Sequence, residues 1–163
     1  MSEHKILVVT VNASLKWDSN INVVTSKATK RLWCLKKLKR TGVARKDLAY
    51  FYQAVVRPIL EYACPAWHTS LTKEQSKKLE DIQRRAVQII AGNIHYEEAC
   101  FMLDFPSLSA RGLSMCETLF KQIHAACEFH VLHYLLSAKR DTELSCRTRS
   151  INKYPTVYAD KPL

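Results

Sequence analysis

The chain has 163 residues, 47% of them hydrophobic with three Trp, and a net charge of +10 at pH 7. Composition of this kind excludes a disordered chain and fits one domain with a proper core, or one domain with a tail. The charge favours an acidic partner, nucleic acid ahead of an anionic membrane, and no apolar run approaches the roughly 18–20 residues of a membrane span.

The N-terminal segment is too short, and too acidic at Glu3, for a signal peptide. Cys34, Cys64, Cys100, Cys116, Cys127 and Cys146 show no paired spacing and read as reduced core residues of an intracellular protein. Three Gly and five Pro point to long helices with few tight turns.

Lys5 to Val11, KILVVTV, is a continuous β-branched run and predicts one strand. A lone strand needs a partner, so the expectation is pairing with something outside this chain. Asp18 or Ser19 is the expected cap of the first helix. Ile21, Val24, Ala28, Leu32, Leu35 and Leu38 step by three or four and make one apolar stripe.

Between Asp18 and Asp47 there are nine cations and no anion in 28 residues. Solvated helices usually mix signs to gain i,i+4 pairs, so this composition weighs against a merely solvated face. Lys27, Lys30, Arg31, Lys37 and Arg40 lie off the apolar stripe and are candidates for contact with a polyanion. The run Lys36 to Arg40 also fits a nuclear-import pattern, a weak signal.

Gly42 is placed to end that helix in the left-handed conformation. A second helix from about Arg45 carries Leu48, Phe51, Tyr52, Val55, Ile59 and Leu60 and should be the central one. Pro58 should kink it and Pro65 end it. Thr72 and Gln75 have capping-box spacing ahead of a third helix with Leu79, Ile82, Ala86, Ile89 and Ile90, closed by Gly92. Arg84 and Arg85, with Lys77 and Lys78 upstream, give that helix a second basic face, with Lys77, Arg84 and Arg85 as its candidate contacts.

A short helix over Tyr96–Leu103 and another over about Ser109–Ala126 follow, Gly112 being an unfavourable helix residue. Residues 140–163 lose periodicity and read as an irregular tail. The fold class is therefore mainly α, with one short N-terminal strand.

Leu15-Lys16-Trp17, Arg57-Pro58-Ile59-Leu60-Glu61-Tyr62, Cys64-Pro65, Trp67-His68 and Ile82-Gln83-Arg84-Arg85-Ala86 together resemble the segment after the palm in non-LTR, LINE-type reverse transcriptases, the CR1/jockey-like elements most closely. The resemblance covers roughly residues 5 to 135. It implies a remnant palm strand and turn over 1–17, a three-helix thumb-like bundle over 18–92, a helical extension over 93–139 and the tail over 140–163. Leu7-Val8-Val9 and Gly112-Leu113-Ser114 depart from the family's pattern, as in a decaying or repurposed copy.

The resemblance also implies a partner, the backbone of an RNA/DNA primer–template, and a palm domain that this chain lacks. In that family the palm holds Mg²⁺ through paired carboxylates. The one echo here, Tyr158-Ala159-Asp160, is followed by Lys161 and reads as chance. No catalytic residue, metal site or cofactor is expected in this chain, which by itself should not polymerise. The localisation implied is nucleus or cytoplasm.

His124, Cys127, His130 and His133 spread around half a helix and do not make a metal set. Cys64 beside His68 reads as packing rather than as a nucleophile pair, and Trp17 and Trp33 as packing rather than base stacking. The competing reading is a stand-alone helical module, binding either nucleic acid or a protein.

Overall fold

The β-branched run at the N-terminus folds back on itself. In the computed structural model, which describes residues 3–12, 16–126 and 130–135, β1 (Glu3–Ile6) pairs antiparallel with β2 (Val9–Asn12), Ile6 opposite Val9. The single strand read from the sequence is thus two, and its pairing partner comes from within the run. Leu7 and Val8 make the turn with φ of 46° and 74°, the positive values a two-residue hairpin loop needs at its centre. A β-branched residue at positive φ is strained, which is why the sequence carries no recognisable turn signal here.

The rest of the described chain is helical. α1 (Asp18–Arg40) buries the predicted stripe from Ile21 to Leu35. Neither Asp18 nor Ser19 caps it. The helix starts after Trp17, and the Asp18 carboxylate instead accepts a hydrogen bond from Gln75 Nε2 at 2.8 Å. Gly42 takes a φ of 84°, as its place after the helix requires.

The central helix has three parts: α2 (Arg45–Phe51), a π-helical turn over Tyr52–Val56, and α3 (Arg57–Glu61). Pro58 has no N–H to donate back into the preceding turn, and the wider π turn absorbs that loss. The turn also resets the register. Leu48, Tyr52, Val56 and Leu60, spaced by four, would drift about 40° per step on an ideal helix. Here all four are fully buried, so Val56 and not the expected Val55 faces the core.

Pro65 does not end this helix. The break comes earlier, at Tyr62 and the left-handed Ala63 (φ 52°), and Pro65 sits in the first turn of a new short helix, α4 (Cys64–Trp67). Proline is favoured there because the first helical N–H groups have no partner to lose.

α5 (Lys73–Ala91) begins with the predicted capping box: Gln75 N donates to Thr72 Oγ1 at 3.2 Å and Thr72 N to Gln75 Oε1 at 3.0 Å. α6 (Tyr96–Leu103) and α7 (Leu108–Ala125) follow. α1 packs most extensively on α5. Asp18 meets Gln75 near both N-termini, and Lys39 Nζ donates to the Ile90 carbonyl near both C-termini at 3.0 Å, so the two helices run parallel.

The core formed by α1 to α5 also takes in Ala99, Phe105 and Leu108. Gln83, 1% exposed, ties it together: its amide accepts from Tyr52 OH at 2.9 Å and donates to the Pro106 carbonyl at 3.0 Å.

Gly112 sits in α7 because no side chain fits. A Cβ there would fall 2.4 Å from the His68 imidazole. Gly112→Ala is expected to destabilise the protein by about 1–3 kcal/mol through overpacking. In a His68→Ala background the same change should instead gain up to about 1 kcal/mol of helix propensity. Chemical denaturation of the four variants checks both signs.

The chain divides into two units, Met1–Leu119 and Phe120–Leu163. In the second, the described residues finish α7 and form a 3₁₀ turn at His133–Leu135, with the Phe120 and His124 rings 6.3 Å apart. The expected tail over 140–163, the Tyr158-Ala159-Asp160 echo and Cys127 lie outside the described residues.

Candidate nucleic-acid interface

All eight candidate cations are exposed, but they do not share one face. The parallel pairing of α1 and α5 leaves an open groove of about 530 Å³ between them. Lys30 projects into it from α1, and Lys78 and Arg85 from α5. Lys78 belongs to the basic face read from the sequence but not to its candidate contacts; the pairing of α1 with α5 puts it in the groove.

Asn22, Thr25, Ser26 and Thr29 complete the α1 wall. Thr25 and Thr29 donate their hydroxyl protons to carbonyls of their own helix, Ile21 O at 2.7 Å and Thr25 O at 2.8 Å. Lys30, Lys78 and Arg85 are the charged donors this groove offers to phosphate, and Asp81 is the one acid lining it among the described residues.

Lys37 and Arg40 continue from Lys30 along the same flank, by way of Trp33, at helical steps of three and four. Trp33 is 63% exposed and not core, and Lys37 Nζ stands 5.2 Å from the centre of its ring. A cation held over an aromatic face in this way presents a paired charge and stacking surface beside the groove. Trp17, in contrast, packs partly buried against the core, as expected.

The remaining candidates point elsewhere. Lys27 lines a separate cavity on the opposite flank of α1, and Arg31, four residues on, shares that flank. Arg84 lies on the far side of α5, its guanidinium 4.8 Å from the Tyr96 ring centre. Lys77 is one heptad before Arg84 and shares its side. Adjacent Arg84 and Arg85 are thus split between two faces, as residues about 100° apart on a helix must be.

Like Asp18, two further acids, Glu61 and Glu80, are committed to structure. Glu61 accepts from Arg111 Nε and, at 3.0 Å, from Arg111 Nη2, with Arg57 also 4.0 Å away. Glu80 accepts from Ser109 N at 2.9 Å and so complements the start of α7. Among the described residues no group of three His, Cys, Asp or Glu side chains comes together.

Burial governs the titratable groups of the core. It pushes the Cys64 thiol up to about 11, with neighbouring Cys116 and Glu61 adding to the effect. The Tyr96 phenol rises to about 12 and Tyr52 higher still, again mainly by burial. Each neutral form is favoured by folding, so its contribution is complete below the ordinary values of 9.0 and 10.0 and is lost as pH rises through the folded values. The urea midpoint should therefore hold to about pH 9 and fall between roughly pH 9 and 12, less steeply in Tyr52→Phe.

Among the described residues no helix is long and apolar enough to cross a membrane. No protein-family model, curated protein or solved structure matches the chain.

Proposed function

We propose that the chain is the thumb-like segment of a LINE-type reverse transcriptase, without its catalytic palm, and that it binds the backbone of an RNA/DNA duplex rather than catalysing. The observation that carries the binding half of this reading is the groove in which Lys30, Lys78 and Arg85 converge from two parallel helices. A groove in which three cations converge suits tracking of a phosphate backbone.

The sequence resemblance carries the other half. Its most specific run, residues 57–68, supplies the Glu61 ion pairs and three buried side chains, Leu60, Cys64 and Trp67. That a host retains the segment as a stand-alone binding module is compatible with the same groove.

The test is fluorescence anisotropy of a labelled RNA–DNA hybrid titrated with the full chain from low to physiological salt. Affinity should fall linearly on a log–log plot, with a slope near −0.9 per phosphate neutralised. A folded sample that shows no binding at low salt sinks the reading.

A further inference from the structure

Exposure separates the three tryptophans. Trp67 is 1% exposed and Trp17 packs against the core, whereas Trp33 stands largely in solvent midway along α1. An indole left in water contributes little to the fold, so its place on the surface calls for another use.

That place is set by the groove. Ser26 and Thr29 belong to the α1 wall, and Trp33, Lys37 and Arg40 follow at steps of three or four. The five share one stripe of the helix, so the ring stands where the wall continues beyond the groove. Lys37 Nζ occupies part of the ring, and an indole 63% exposed keeps surface for a second partner. Lys30 and Lys37, seven residues apart, are separated by about 10.5 Å of helix axis. That is the length of about three stacked nucleotides at about 3.4 Å each, and Trp33 lies between the two cations.

The surroundings select the partner. After Asp18 no residue of α1 is acidic, so the ring sits in a positive field that suits a flat group carried on a polyanion. Nucleobases stack on aromatic rings whatever their sequence. A base inside a duplex already has neighbours on both faces, so the ring can take only an unpaired one.

We propose that Trp33 stacks on an unpaired base of a strand leaving the groove, with Lys30 and Lys37 on the flanking phosphates. The inference rests on the duplex-binding reading. It makes the ligand a duplex with a single-stranded extension rather than a blunt one.

The test compares three probes by fluorescence anisotropy with the full chain: a blunt RNA–DNA hybrid, the hybrid extended by about six unpaired thymidines, and the hybrid extended by abasic sites of equal number. The extension is placed at each end of the DNA strand in turn. Abasic sites keep the phosphates and remove the bases, so the ratio of the two extended probes isolates stacking. At one end thymidines should bind about five- to a hundred-fold more tightly than abasic sites, and should quench tryptophan fluorescence where abasic sites do not. Trp33→Ala should bring the ratio close to one, and Trp33→Phe should keep part of it.

A wild-type ratio within about two-fold at both ends, or a ratio that survives Trp33→Ala, overturns the inference while the blunt hybrid still reports on the groove. A folded wild-type chain that binds none of the probes at low salt sinks the groove reading and this one together. The wild-type ratio and quenching decide the matter even if Trp33→Ala does not fold.

Discussion

Reversing Lys30, Lys78 and Arg85 together to Glu is expected to raise the Kd for an RNA–DNA hybrid by at least two to three orders of magnitude at about 0.1 M salt. The size follows from counterion release: each phosphate neutralised contributes close to 0.9 log units between about 0.1 M and 1 M salt. Three such contacts sum to about 2.7 log units, and reversal adds repulsion to the loss. The salt slope should become shallower by about 3 at the same time. Because all three side chains lie in an open groove, folding should be unaffected, which circular dichroism would verify.

The comparison variant is Lys27→Glu with Arg31→Glu, equal in kind but on the opposite flank. If the groove is the interface, this pair costs far less affinity and leaves most of the salt slope. Equal losses from both sets would instead reflect a general effect of net charge. The two outcomes distinguish a specific groove from a general effect of net charge.

Trp67→Ala should have the largest effect on stability, a loss of about 3–5 kcal/mol. Trp67 is 1% exposed, and its indole Nε1 donates to the Tyr62 carbonyl at 3.0 Å. That bond satisfies a carbonyl left open where the chain breaks between α3 and α4. Truncation removes both the packed ring and the donor. Against a typical total of about 5–15 kcal/mol, such a loss would leave the fold marginal. Trp67→Phe keeps most of the volume and should cost clearly less, by urea denaturation, because only the hydrogen bond and a partial cavity are lost.

What could be read in advance was local. The Thr72/Gln75 capping box, the left-handed Gly42, the closing Gly92 and the Tyr96–Leu103 helix depend on residues within one or two turns of each other. The hairpin was hidden because its turn residues, Leu7 and Val8, are the opposite of turn formers. Val56 was hidden by a π turn that shifts the buried register by one residue. At the groove, exposure of the cations was legible, since they stand off the apolar stripe. Which of them face one another was not, because that depends on α1 lying parallel to α5, a contact between positions more than 50 residues apart. Lys78 entered and Lys27 left the shared face for this reason alone.

The groove between α1 and α5 is laced at both ends, by Asp18 to Gln75 and by Lys39 to the Ile90 carbonyl. A cleft tied in this way keeps its width without help from whatever occupies it. A polyanion settling there orders flexible lysine and arginine side chains but need not draw two helices together, so most of the entropic penalty of shaping the site has already been met in folding. Lys39 is thereby withdrawn from the cationic surface and acts as a tie. Cutting either tie should reduce affinity for a duplex even though neither residue touches it, through a loss of preorganisation rather than of charge.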